Sequence, residues 1–232
     1  MVVTKIDKKL TPFNRIKGGN TKQYLVIHDV GVKGQTAKGN ITYFNRAPVG
    51  ASAHYFVDRT SIWQLVDDND IAWHVGDGKG KYGITNTNSL GIEMIVEKDG
   101  TIHEETKENT KWLVKYLQNK YKFPDSKIVR HYDASRKNCP QYLNKDGKWT
   151  EWYAFYNYIT APTVTKTPKE EKVIKLLKDS TASSLRNEFI ADLEKAYEQK
   201  VFSDKKWIEL AKSGELTLAD AFLLKHKMDK KK

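Results

Sequence analysis

Short β-branched runs alternating with segments of helical period constrain the first two thirds of this chain to a layered α/β arrangement. QYLVIHDV, residues 23–30, predicts a buried strand that ends near His28. LGIEMIV, residues 90–96, predicts a second, closed by the turn signal Lys98-Asp99-Gly100. Residues 54–58 and 61–66 predict a pair of strands turning at Arg59 and Thr60, and residues 128–131 another short strand. Helical period falls over 36–46, with Thr36 as cap and Ile41 and Phe44 facing a core. It returns over 104–120, where Trp112, Leu113, Tyr116 and Leu117 share a face, and over the aromatic stretch 151–159. The expected fold class is α/β: a mixed central β-sheet flanked by helices.

The pattern changes at APTVTKTPKE, residues 161–170, whose two prolines among threonines and lysines predict an extended linker. Beyond it only helical signals remain. Val173, Ile174 and Leu177 begin one stretch, and Leu185, Phe189, Leu193 and Tyr197 form a stripe in the next. Ser203 caps a third with Trp207, Ile208 and Leu210, stopped by Gly214, and Thr217 with Asp220 resembles a capping box before Phe222 and Leu223. The expected organisation is a domain at 1–160, a linker at 161–170 and a small helical C-terminal module at 171–232. That module is marginal in size for folding alone.

Lysine and arginine number 40 against 29 acidic residues, a formal net charge of +11, and such a surface seeks polyanions. No RNA-binding signature, helix-turn-helix pattern or paired-cysteine finger accompanies the charge, so no nucleic acid is expected as partner. No run approaches the roughly 20 apolar residues that span a bilayer, and the first residues hold no secretory signal. The expectations are no membrane insertion and synthesis in a cytoplasm. A single cysteine, Cys139, excludes an intramolecular disulfide.

That cysteine lies in RHYDASRKNCP, residues 130–140, eight residues after His131. A helix would not bring the two to one face, but a loop folding back from a strand end would. With His28 at the end of the first strand they form a candidate set of two imidazoles and one thiolate, the ligand type of a three-ligand zinc site with an open fourth position. Each residue alone has a blander reading, the cysteine as a small buried hydrophobe and the histidines as packed or surface groups.

Four blocks stand in order along the chain: YLVIHDV (24–30), SAHYFVDR (52–59), AWHVG (72–76) with NTNSLGIEMI (86–95), and RHYDASRKNCP. In these the chain resembles the type-2 N-acetylmuramoyl-L-alanine amidase family, which includes Bacillus phage endolysins, a phage lysozyme branch and the animal peptidoglycan recognition proteins. The resemblance spans about residues 20 to 160. It implies a mixed sheet with flanking helices and one Zn2+ per catalytic domain, held by His28, His131 and Cys139. It also implies Glu93 as catalytic carboxylate and Lys137 as the cation that stabilises the tetrahedral intermediate. The phage lysozyme branch has a tyrosine immediately before the histidine of the second block. Here that residue is Ala53, which moves the burden of water activation to Glu93. Without the resemblance Glu93 reads as a solvent-facing strand residue.

His54 and His74 fall in matching blocks and are expected to line the substrate cleft or orient ligands from behind, with a hydrogen-bonded structural role as the alternative. Trp73 is a further candidate for the substrate cleft, against core packing. His103 and His226 read as surface residues, and Asp133 as a loop cap or ligand-orienting group. The activity implied by the resemblance is zinc-dependent hydrolysis of the amide between N-acetylmuramic acid and L-alanine in bacterial peptidoglycan. A phage or prophage endolysin that reaches the wall after release fits a chain of this kind. The C-terminal helices are then a wall-targeting module or a stabilising or oligomerising appendage, and anionic wall polymers are further partners. The alternative is a peptidoglycan-binding recognition protein without catalysis, typical where the cysteine ligand is lost.

Overall fold

The computed structural model describes residues 2–161, 183–199, and positions 205, 208, 209 and 212. The chain divides into two compact units, Met1–Thr163 and Val164–Lys232.

The first unit is built on a six-stranded sheet of order β1-β5-β4-β7-β3-β8. The strands are β1 (Ile6–Lys8), β3 (Tyr24–Asp29), β4 (Tyr55–Val57), β5 (Ile62–Gln64), β7 (Ser89–Met94) and β8 (Ile128–Arg130). Only the β4–β5 pair is antiparallel. The other neighbours run parallel, so the sheet is mixed and mostly parallel, as the alternation of strands and helices predicts. A separate two-stranded ribbon joins β2 (Arg15–Ile16) to β6 (Ile71–Ala72). Nothing in the sequence marks β1, β2 or β6, because runs of two or three residues carry too little periodicity to register.

Alternate side chains of β3 and β7 point to opposite faces. Leu25 and Ile27 with Leu90, Ile92 and Met94 pack on one face against α2 (Glu104–Tyr121) and α4 (Thr150–Thr160), which contribute Leu113, Val114, Leu117, Trp152, Phe155 and Ile159. Each such side chain, fully buried, contributes about 1.5–3 kcal/mol. The other face of these strands carries Val26, His28, Gly91 and Glu93. Further along, Phe56 packs with Ile41 of α1 (Ala37–Phe44), whose cap Thr36 accepts from Gly39 N at 3.0 Å.

The α2 face differs from the expected stripe. Its core residues are Leu113, Val114 and Leu117, while Tyr116 is exposed and stacks on Trp112 at 5.5 Å. Burial on α2 is completed by Thr106, Asn109 and Thr110, polar residues that a count of apolar positions overlooks. Asn109, for example, donates to Asp58 O at 2.9 Å. Asp68 locks α2 to the sheet by accepting from Tyr55 Oη (2.5 Å), Gln64 (3.0 Å), Lys120 (2.9 Å) and Tyr121 Oη (2.6 Å). Burial alone would raise its carboxyl, but these donors outweigh it and hold Asp68 below the usual carboxylate range.

In the second unit, α5 (Ser183–Glu198) coincides with the Leu185–Tyr197 stripe, and Leu193, Ala196 and Ile208 are buried. The helical readings at 173–177 and from 217 onward lie outside the described residues, and of the reading at 203–214 only positions 205, 208, 209 and 212 are described, the last three helical. Among the described residues no helix is long and apolar enough to cross a membrane.

Candidate metal centre

Parallel register sets the site. β3 and β7 pair with His28 opposite Glu93 and Val26 opposite Gly91, so His28 and Glu93 emerge side by side at the carboxyl ends of their strands. In open α/β sheets that end is where ligands bind. β8 pairs with the other side of β3 and runs directly into α3 (His131–Ser135). His131 is therefore the first residue of a helix rather than the last of a strand. The salt-bridged pair Arg130–Asp133 caps this junction at 2.6 Å, which assigns Asp133 the capping role.

Cys139 returns to the site by a tight reversal. Arg136 ends α3 in the left-handed region at φ 70°, and Tyr132 N then donates to Cys139 O at 3.0 Å. Asp29 anchors the far side of the loop by accepting from Tyr142 N at 2.7 Å. The outcome is the fold-back that the spacing of His131 and Cys139 requires. One ligand atom from each of His28, His131 and Cys139 lies within 4.8 Å of the others, and all three residues are buried. This set could hold a metal ion.

The electrostatics fit a cation. Burial, and then the like charge His131 and His74 would carry, hold His28 well below the ordinary imidazole range. Burial likewise lowers His131, against the opposing pull of Asp77. Both rings are thereby neutral at pH 7, the form that ligates. Burial, followed by the charges of Glu93 and Asp29, pushes the Cys139 thiol up, so its thiolate needs a positive partner. Sγ lies 3.8 Å from His28 Nδ1. Glu93 Oε1 lies 3.8 Å from the same nitrogen, and its Oε2 is buried without a hydrogen-bond partner. Burial first and the Asp29 charge second raise the Glu93 carboxyl to about 8, with Lys137 opposing.

These groups open on a cleft of about 340 Å³. Its lining includes Glu93, His74, Trp73 and Lys137, which places four of the sequence candidates around the three ligands. Lys137 is exposed, and Trp73 is 37% exposed rather than packed in the core. Ala53 also lines the cleft and is buried, with no hydroxyl to offer. His54 is placed differently from the expected substrate contact. It is fully buried behind the wall, its Nδ1 accepting from Gly91 N at 3.0 Å while Nε2 lies 3.1 Å from Asp70 O. Burial lowers it to about 4, so it braces β4 against β7 as a neutral ring. His103, outside the site, caps α2.

Two features of the site escape a reading of ligand types. Asp77, on the 3-10 turn Gly76–Gly78, accepts at 2.8 Å from His131 Nε2. Gly91 leaves room for a ring: a Cβ there would sit 2.7 Å from His74 Nδ1. A glycine inside a strand is the available sequence signal for such close approach.

Residues 18–142, more than half of the chain, match the family model described as N-acetylmuramoyl-L-alanine amidase, Amidase_2. The chain belongs to this type-2 amidase family. A probable N-acetylmuramoyl-L-alanine amidase of Bacillus licheniformis is 42% identical over 125 residues, 50% of this amidase-family chain and 35% of that protein. The match thus spans about a third of the length of this relative and of two further Bacillus amidases, and about half of that of another. Among solved structures, the catalytic domain of XlyA superposes with TM-score 0.58 at 29% identity, covering 67% of this chain and 99% of that one. A mutant endolysin from Bacillus subtilis gives TM-score 0.58 at 29% identity over 68% and 99%. The residues that match the family model, 18–142, include all three candidate ligands.

Proposed function

We propose that this chain is a zinc-dependent N-acetylmuramoyl-L-alanine amidase, hydrolysing the amide between the lactyl group of N-acetylmuramic acid and L-alanine of peptidoglycan. The observation that carries the reading is the cluster His28, His131 and Cys139 with the Glu93 carboxylate beside it, all facing one open cleft. Mixed nitrogen and sulfur donors suit zinc above magnesium or calcium. The unpartnered Glu93 Oε2 and the raised Cys139 thiol are groups that a bound cation would relieve. When bound, zinc supplies a Lewis acid for the scissile carbonyl and lowers the pKa of water to about 7.

The chain's own residues do the rest. Glu93 accepts the proton of the attacking water and passes it to the leaving amine, for which a carboxyl raised toward neutrality is suited. Ala53 leaves no side-chain hydroxyl to share that task at its position. Lys137 offsets the developing oxyanion from the cleft rim. Trp73 and His74 form one cleft wall, with Trp73 available for contact with sugar or peptide. The likeness to a Bacillus subtilis endolysin supports a phage or prophage lysis role, with the cell wall as the place of action. We assign catalysis to residues 1–160, a linker to 161–170, and a wall-binding role to the helical module 171–232, a division the two compact units support.

Product analysis tests the activity. Purified Gram-positive peptidoglycan digested by the protein should gain free L-alanine amino ends, read by mass spectrometry, and a zinc chelator should abolish them. Wall binding without new ends would overturn the amidase and favour a recognition module. A fragment of residues 1–163 should fold cooperatively, carry one zinc and bind wall more weakly than the full chain. An insoluble fragment, or one that binds wall fully, would refute the assigned division.

A further inference from the structure

The segment between β6 and β7 touches the rear nitrogens of both histidine ligands. Asp77 Oδ1 lies 2.8 Å from His131 Nε2, and an ionised carboxylate only accepts. His131 Nε2 therefore carries the hydrogen, and in the neutral ring Nδ1 keeps the lone pair. His28 is reached through a longer relay. Ser89 Oγ donates its one hydrogen to Thr85 O at 2.6 Å, so it accepts from His74 Nε2 at 3.2 Å. His74 Nδ1 is then an acceptor, and His28 Nε2, 3.0 Å away, must donate to it. The lone pair of His28 falls on Nδ1, the nitrogen that faces Cys139 Sγ and Glu93 Oε1 at 3.8 Å each.

We infer that Asp77 and His74 are positioning residues that fix the Nδ1-lone-pair tautomers of His131 and His28 and hold both rings for the cation. The purpose rests on the metal reading above; the tautomers are a property of the chain alone. Two glycines permit the arrangement. The His74 ring occupies the space that a side chain at Gly91 would fill. At Gly78 a Cβ would fall 2.2 Å from Ala134 O, so only glycine lets the Asp77 turn lie against α3. Asn86 Oδ1 fixes the backbone from the other side, accepting from His74 N (3.0 Å) and Val75 N (2.8 Å). Ser135 Oγ donates to Asp77 Oδ2 at 3.3 Å.

The test uses the full chain. Long-range 1H–15N correlation on the chelator-treated protein reads the tautomers directly, with no variant needed. His28 and His131 should both be protonated at Nε2 and bare at Nδ1. Zinc affinity is then measured by competition with a chromophoric chelator. His74→Leu and Asp77→Ala should each weaken it about 10–100-fold, the usual effect of losing an outer partner of a ligand histidine. His74→Asn and Asp77→Asn, which keep a carbonyl acceptor, should recover most of the loss. A merely structural brace would not show that rescue. A hydrogen on Nδ1 of either ligand, or parental zinc affinity in both deletion variants, would overturn the inference. If the parent takes up no zinc, the metal reading fails on its own, and the tautomers still decide the relay.

Discussion

Cys139→Ser is expected to remove zinc and amidase activity together while leaving the fold in place. The substitution exchanges one atom at a buried position whose loop is held by backbone bonds from Tyr132 and to Asp29, none of which uses the sulfur. What it removes is the one ligand that brings negative charge. Structural zinc sites are worth about 10–16 kcal/mol in all, so a single ligand of four contributes roughly 3 kcal/mol, or about two orders of magnitude in affinity. Metal content by atomic spectroscopy, unfolding by circular dichroism and release of L-alanine ends should be measured on one preparation. A variant with full activity in metal-free form would sink the zinc mechanism, whereas loss of the fold would assign Cys139 a packing role.

Glu93→Gln is expected to keep zinc and lose turnover by about 10²–10⁴-fold, the usual contribution of a general acid–base group. The amide has the shape of the carboxyl and cannot take a proton from water. A near-normal rate would transfer the base role elsewhere. The same variant has a consequence for stability, with a sign that follows from the site. Burial raises Glu93 from the ordinary 4.5 to about 8 in the folded protein. Between those values the folded chain binds more protons than the unfolded chain, so the parent loses stability as pH rises through that window. In chelator-treated protein Glu93→Gln should therefore gain on the parent from pH 5 to pH 9, by on the order of a few kcal/mol. Urea titrations at the two pH values check it, and a gap that shrinks would show that Glu93 is not desolvated as described.

The strands that carry the site were legible because they are strongly apolar and bounded by turn residues. β3, β4, β5 and β7 fall where their runs predict, and α1 starts at its Thr36 cap. The α2 face was read less well, because Thr106, Asn109 and Thr110 are buried although polar, the last two through hydrogen bonds that apolar period does not reveal, while Trp112 and Tyr116 satisfy each other by stacking. The residue types of the candidate ligands could be picked out, since two histidines at strand ends and a lone cysteine after a short turn sequence are a recognisable set.

What could not be read from residue order is who stands behind them. Asp77 is 54 positions from His131 and His74 is 46 from His28, and only the stacking of the β6–β7 segment over the strand ends makes them partners. His54 shows the converse. It sits next to a cleft residue in sequence, yet it is fully buried, and backbone groups of Gly91 and Asp70 take both its nitrogens. Local periodicity and turn chemistry are properties of neighbouring residues, so the sequence by itself determined the layered α/β class and offered the residue types of the candidate ligands. Register and long-range packing are properties of the whole sheet. Only the tertiary structure decided that His28 faces Glu93, that Gly91 gives way to His74, and which nitrogen of each ring is left free.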